Sequence, residues 1–122
     1  MTTNRNAELH LEGRRFLAQA NSANGTIDTE TEMHFTQDAD VILATYSGGS
    51  IVDGRVLARW VSQTHIDMCY HCLTASDALQ AGKAKGHFDR TSDGRLAMRL
   101  DWQWLTGDRT SGESYWIARD VD

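Results

Sequence analysis

The chain contains no proline, where ordinary usage of about 5% would supply roughly six in 122 residues. Proline cannot donate to a strand ladder, so its absence suits strands that are paired on both sides, as in a closed barrel. Cysteine is nearly absent too. Only Cys69 and Cys72 occur, and residues three apart on a strand point to opposite faces, which excludes a disulfide between them and a shared zinc ion. That agrees with a reducing compartment. No run approaches the roughly 18 apolar residues of a membrane span, and Met1 to His10 has no apolar core of the kind a signal peptide needs. The expectation is a cytoplasmic protein with no membrane partner. Twelve Lys and Arg against 17 Asp and Glu give a net charge of −5, without the basic stripe that a phosphate backbone requires. Nucleic acid is not an expected partner. Gly-rich phosphate loops, Gly-x-Ser-x-Gly elbows and His-Glu-x-x-His pairs are all missing, and no cofactor is expected.

What is present is alternation. From Asp93 to Ser111 the chain reads as a turn, a long strand and a second turn. Leu96, Met98, Leu100, Trp102 and Trp104 fall on one face, Ala97, Arg99, Asp101 and Gln103 on the other, the pattern of a half-buried strand. Two Trp on the buried face either fill a core or line a pocket.

Taken in order, residues 1–11 are polar and read as a flexible N-terminus, and residues 12–122 as a single domain. A first strand from Glu12 to Asn21 leads into Asn24-Gly25, a strong signal for a tight hairpin. The second strand, Thr26 to Thr36, puts Ile27, Thr29, Thr31, Met33 and Phe35 opposite Asp28, Glu30, Glu32 and His34. The third, Asp40 to Ser47, is apolar on both sides, and periodicity does not assign its inward face. Gly48-Gly49 turns into a fourth, Ser50 to Val61, whose small set Val52, Gly54, Val56 and Ala58 is read as inward. The fifth, Thr64 to Leu73, sets Ile66, Met68, Tyr70 and Cys72 against His65, Asp67, Cys69 and His71. The sixth, Gln80 to Asp89, faces Gly82, Ala84, Gly86 and Phe88 one way and its basic residues the other. Ser92-Asp93-Gly94 is a second hairpin signal, and an eighth strand runs from Gly112 to Arg119.

Eight consecutive strands with short connections and no helical period predict an all-β fold, an eight-stranded antiparallel up-and-down β-barrel. Such an interior holds either packed side chains or one small ligand. Inward Gly82, Ala84 and Gly86 are read as the residues that leave it unfilled.

Two resemblances follow from particular segments. Asn21-Ser22-Ala23-Asn24-Gly25, Ala44-Thr45-Tyr46-Ser47-Gly48-Gly49, Asp93-Gly94-Arg95-Leu96 and Trp102 to Asp108 with Ser111-Gly112-Glu113-Ser114 resemble a family of bacterial proteins about this long. Its members are often labelled N-acetylglutamate synthase, yet the Arg/Gln-x-x-Gly-x-Gly loop and following helix that hold acetyl-CoA are missing here. We read that label as an error of transfer. Gln103-Trp104-Leu105 followed by Thr110-Ser111-Gly112 is similar to the penultimate strand and last turn of the avidin and streptavidin barrels, and Thr45-Tyr46-Ser47 to their third strand. This second resemblance implies a concave aromatic site in which Asn21, Tyr46, Ser47 and Trp104 are the matching polar and aromatic positions. It does not specify biotin.

The candidate ligand-binding residues are therefore Asn21, Tyr46, Ser47, Tyr70, Trp102 and Trp104. Tyr46, Tyr70 and Glu113 are candidates for catalysis, since Glu113 follows the last turn and could enter the barrel mouth, where desolvation would fit it for acid or base work. Two functions are carried forward. One is a small-molecule-binding barrel with an aromatic cavity. The other is a cofactor-free lyase, isomerase or cyclase acting on a small hydrophobic or aromatic substrate. The expected partner is a small-molecule ligand or substrate, and self-association into a homo-oligomer is left open.

Overall fold

Eight strands follow one another in the computed structural model, which describes residues 9–119. They are β1 (Arg15–Asn21), β2 (Glu32–Asp38), β3 (Val41–Gly48), β4 (Ile51–Trp60), β5 (His65–Thr74), β6 (Leu79–Arg90), β7 (Leu96–Trp104) and β8 (Ser111–Ala118). Each pairs antiparallel with the next, and β8 returns to β1, closing the barrel. Every strand is thus paired on both edges, the condition that the missing proline fits.

Turn chemistry sets most connections. At Gly94 (φ 88°) the chain reverses as expected, with Gly94 N–H donating to the Thr91 carbonyl at 2.9 Å and Thr91 N–H to the Arg95 carbonyl at 2.8 Å. Gly48 and Gly49, at φ 112° and 62°, make the β3–β4 turn.

The first connection differs from expectation. Asn24-Gly25 does not form a tight hairpin, and residues 22–31 lie outside any strand. The Asp28 carboxylate accepts the Glu30 N–H at 2.8 Å, and Thr31 N–H donates to the Asp28 carbonyl at 3.0 Å. This local turn breaks the strand that the alternation from Ile27 to Phe35 suggests. Only from Thr31 does the predicted phase hold, with Thr31, Met33 and Phe35 buried.

Packing divides the barrel into two ends. The closed end, near the β6–β7 turn, is solid. Phe16 meets Phe35 edge-on at 5.6 Å and Phe88 at 6.0 Å, and Trp60 lies 5.7 Å from Phe88. Leu11 is fully buried there and Leu9 packs against the core. Of residues 1–11, read from the sequence as a flexible N-terminus, residues 1–8 lie outside the described residues. On β3, Ile42, Ala44 and Tyr46 prove to be the inward set. On β4 the register shifts between Ile51 and Asp53, so Ile51 is buried and Val52, expected inside, is 56% exposed. A bulge of this kind flips the side chains on one side of it.

Candidate functional site

At the open end the inward residues of β7 and its neighbours surround a cavity. Trp102 and Trp104 are buried, 5.6 Å apart between ring centres, and Tyr70 meets Trp104 edge-on at 5.9 Å. Tyr46 is 5% exposed and Tyr70 half-buried. Met33, Ile51, Val56, Met68, Cys72 and Leu100 complete most of the wall. The cavity has a free volume of about 40 Å³. That is room for about three waters, so a larger guest needs side chains or the covering loop to move.

Glycines on the neighbouring strands explain how the rings lie. Tyr46 sits directly opposite Gly54, Tyr70 opposite Gly82, and Trp102 opposite Gly112. A Cβ added at Gly54 or Gly82 would run into the ring of its partner, and one at Gly112 would come within 2.5 Å of Trp102 Cζ2. Each ring therefore lies across bare backbone, the cross-strand pairing of an aromatic with glycine. This corrects the expectation that Gly82, Ala84 and Gly86 leave volume unfilled. Gly82 is covered by Tyr70, a Cβ at Gly86 would meet Ile66 Cγ1 at 2.7 Å, and none of the three lines the cavity.

The roof is the loop that sequence reasoning took for a hairpin and strand. Gly25, Thr26 and Ile27 line the cavity. Thr26 Oγ1 donates to Gln80 Oε1 at 2.7 Å, Ser50 Oγ to the Thr26 carbonyl at 2.7 Å, and Asn24 Nδ2 to Thr110 Oγ1 at 2.8 Å and the Ser111 carbonyl at 3.1 Å. The strap thus joins β6 and two other loops across the mouth. A ten-residue stretch in which only Ala23 and Ile27 are apolar was the available signal.

Hydrogen bonding inside is largely satisfied. Trp102 Nε1 donates to Asn21 Oδ1 at 3.1 Å, Asn21 Nδ2 to the Ile27 carbonyl at 3.1 Å, Trp104 Nε1 to the Asn24 carbonyl at 3.2 Å, and Trp116 Nε1 to Ser114 Oγ at 2.9 Å. Asn21 and both Trp residues are therefore committed partly to holding the strap. Burial pushes the Tyr46 and Tyr70 phenols well above the ordinary tyrosine value, and the neighbouring Cys72 thiol adds to the shift. Burial likewise raises the Cys72 thiol, against the lowering effect of its hydrogen bond with Tyr46. Both phenols and the thiol stay protonated at neutral pH, fit to donate hydrogen bonds and unfit to act as bases. Among the described residues, no acidic or basic side chain lines the cavity.

The structure thus brings Asn21, Tyr46, Tyr70, Trp102 and Trp104 together. Two candidates lie elsewhere. Ser47 follows inward Tyr46 and so points out, and Glu113, between inward Gly112 and Ser114, is exposed on the outer face. Adjacent strand residues cannot share a face. Cys69 is exposed and Cys72 buried, on opposite faces as the spacing requires. Among the described residues, no group of three or more His, Cys, Asp and Glu converges in a way that could hold a metal, and no helix is long and apolar enough to cross a membrane.

A closed barrel of eight antiparallel strands, solid at one end and hollow and aromatic at the other, defines the class of small barrels whose interior is wide enough for one small molecule. The match to known families is more particular. The family model described as avidin-like protein covers residues 9–118, and the chain belongs to that family. Comparison with curated proteins and with solved structures gives no match.

Proposed function

We propose that the protein binds a small, uncharged, flat aromatic or apolar molecule in the cavity at the open end. The observation that carries this reading is the wall itself, in which the rings of Tyr70, Trp104 and Trp102 meet in turn, Tyr46 joins the lining, and no acid or base stands among the described lining residues. A charged guest would lose its hydration there without a counter-charge, at a cost that apolar contact does not repay. Asn21 fixes Trp102, the Tyr46 hydroxyl is taken up by Cys72, and the Tyr70 hydroxyl is the donor offered to an acceptor on the guest. The enzyme reading is weaker, because Glu113 is outside and the two phenols are protonated, which leaves a lyase, isomerase or cyclase without a base. We further propose that the barrel self-associates through its outer face. Val41 and Leu43 there are each 49% exposed and Leu57 57%, and Leu43 and Leu57 stand side by side across β3 and β4.

The test of the binding site is titration of tryptophan fluorescence with matched pairs of one skeleton, such as indole-3-carboxamide and indole-3-carboxylate. The amide should change the emission and the acid should not, and Val56→Phe, which fills the cavity, should abolish the response while the protein stays folded. A wide panel of neutral aromatics that leaves the emission unchanged would overturn the reading.

A further inference from the structure

Away from the cavity, on the outer face near the closed end, two histidines stand directly opposite each other. His65 on β5 pairs with His87 on β6. The adjoining Phe88 N–H donates to the Thr64 carbonyl at 2.9 Å, which makes 64 and 88 the hydrogen-bonded pair and leaves 65 and 87 at the alternate position, where facing side chains come closest. Their imidazole ring centres are 4.1 Å apart and tilted by 58°, and both residues are partly exposed. We infer that His65 and His87 form a two-imidazole site for a divalent transition-metal ion, bridging β5 and β6.

The surroundings set the orientation that a metal ligand needs. His65 Nδ1 lies 2.8 Å from Thr64 Oγ1 and 3.1 Å from Ser62 Oγ. With its proton on Nδ1 and donated to the Thr64 hydroxyl, His65 presents the Nε2 lone pair, and ligating histidines are ordinarily anchored in this way through their second nitrogen. Ser62 Oγ is itself held by the N–H groups of Thr64 and His65, at 3.2 and 3.1 Å, so the anchor is fixed to the turn. Repulsion of a cation is limited. Arg99, the β7 neighbour of His87, is turned to Asp101 at 3.5 Å, and Lys85 stands opposite Asp67. Asp89, two residues from His87, shares the outer face.

Two imidazoles with no third protein ligand leave the remaining positions to water. Nitrogen donors of this kind follow the order in which Cu²⁺ binds more tightly than Ni²⁺ or Zn²⁺. A metal so placed ties β5 to β6 and stabilises the folded form by linkage.

The experiment uses the full chain carrying Cys69→Ser, which removes the exposed thiol, with Cu²⁺ alone as the probe. We expect one equivalent bound, an electron paramagnetic resonance spectrum with splitting from two imidazole nitrogens, and a melting temperature that rises with added Cu²⁺. His65→Gln and His87→Gln should each remove the second nitrogen and the thermal shift. Thr64→Val, which leaves both ligands in place, should weaken binding by about tenfold, as loss of an outer anchor does. A double His65→Gln, His87→Gln variant that is folded by circular dichroism and binds Cu²⁺ as tightly as the parent would place the ion at His10, His34 or His71 and overturn the inference. A spectrum with one nitrogen in the parent would overturn it as well.

Discussion

Gly54, Gly82 and Gly112 each lie beneath an aromatic ring from the preceding strand, and this decides how individual substitutions act. In the sequence alone, Gly86 is empty space waiting to be filled. In the fold it is packed against Ile66 and Leu100, so Gly86→Phe should overpack the barrel and cost about 1–3 kcal/mol or more. Denaturant unfolding of the variant measures this, and a loss well under 1 kcal/mol would show the space to be open. A second residue-scale consequence concerns alkali. The Tyr46 and Tyr70 phenols are raised when folded, while in the unfolded chain they ionise near pH 10. The folded state then holds more protons, so stability is fully present below about pH 10 and falls as the pH rises above it. Melting temperatures between pH 8 and 11 should show this decline. It should flatten in the Tyr46→Phe, Tyr70→Phe variant, and an equally steep fall there would assign the alkaline loss elsewhere.

At the scale of elements, most of the later strands were legible because apolar residues recur in them with period two, and glycine marks the turns at Gly48-Gly49, Gly94 and Gly107. Two kinds of feature were not. The strap over residues 22–31 keeps a strand-like alternation, Ile27, Thr29, Thr31, although what holds it is a local turn at Asp28 and hydrogen bonding from Asn24 and Thr26 to partners distant in sequence, which periodicity does not report. Ser47 entered the candidate site beside Tyr46 through a family resemblance, although adjacent strand residues cannot both face inward. The bulge at Val52 shows the opposite failure, since a one-residue slip in pairing leaves no mark in composition. The strap yields a prediction of its own. Asn24→Ala with Thr26→Val removes three hydrogen bonds, each worth about 1 kcal/mol, so the closed form should open at least about tenfold more often. Cys72, buried in the cavity wall, reports the opening. In a Cys69→Ser background its reaction with a disulfide reagent should accelerate by that factor, and an unchanged rate would mean that these bonds do not close the mouth.

For the whole molecule, the outer surface matters as much as the interior. Leu43, Leu57 and Cys69 follow one another in register across β3, β4 and β5, an apolar row on a face otherwise carrying charges of both signs. The proposed self-association rests on this row. Light scattering after size exclusion should give a mass above one chain, and Leu43→Glu with Leu57→Glu should reduce it to the monomer with the barrel intact. A monomeric parent would remove the proposal of self-association. Closure of the barrel was predictable from strand number and spacing. The outer face was not, because β3 is apolar on both sides and only the structure shows which side is in.

Closure also has a weak place. β1 and β2 pair in register over Arg15 to Leu17, flanked by backbone hydrogen bonds of Gly13 and Arg14 with Phe35 and of Ala18 with Thr31, while β6 and β7 run together in register from Gly82 to Arg90. The barrel is a hoop with one short weld. Strain applied by heat or force concentrates there, and a parted seam turns a molecule without edges into a curled sheet with two, each offering unpaired backbone to another chain. Aggregation of this protein would then begin at β1 and β2, far in sequence from the Trp-bearing strand, and hydrogen exchange should find the amides of that seam the first to open.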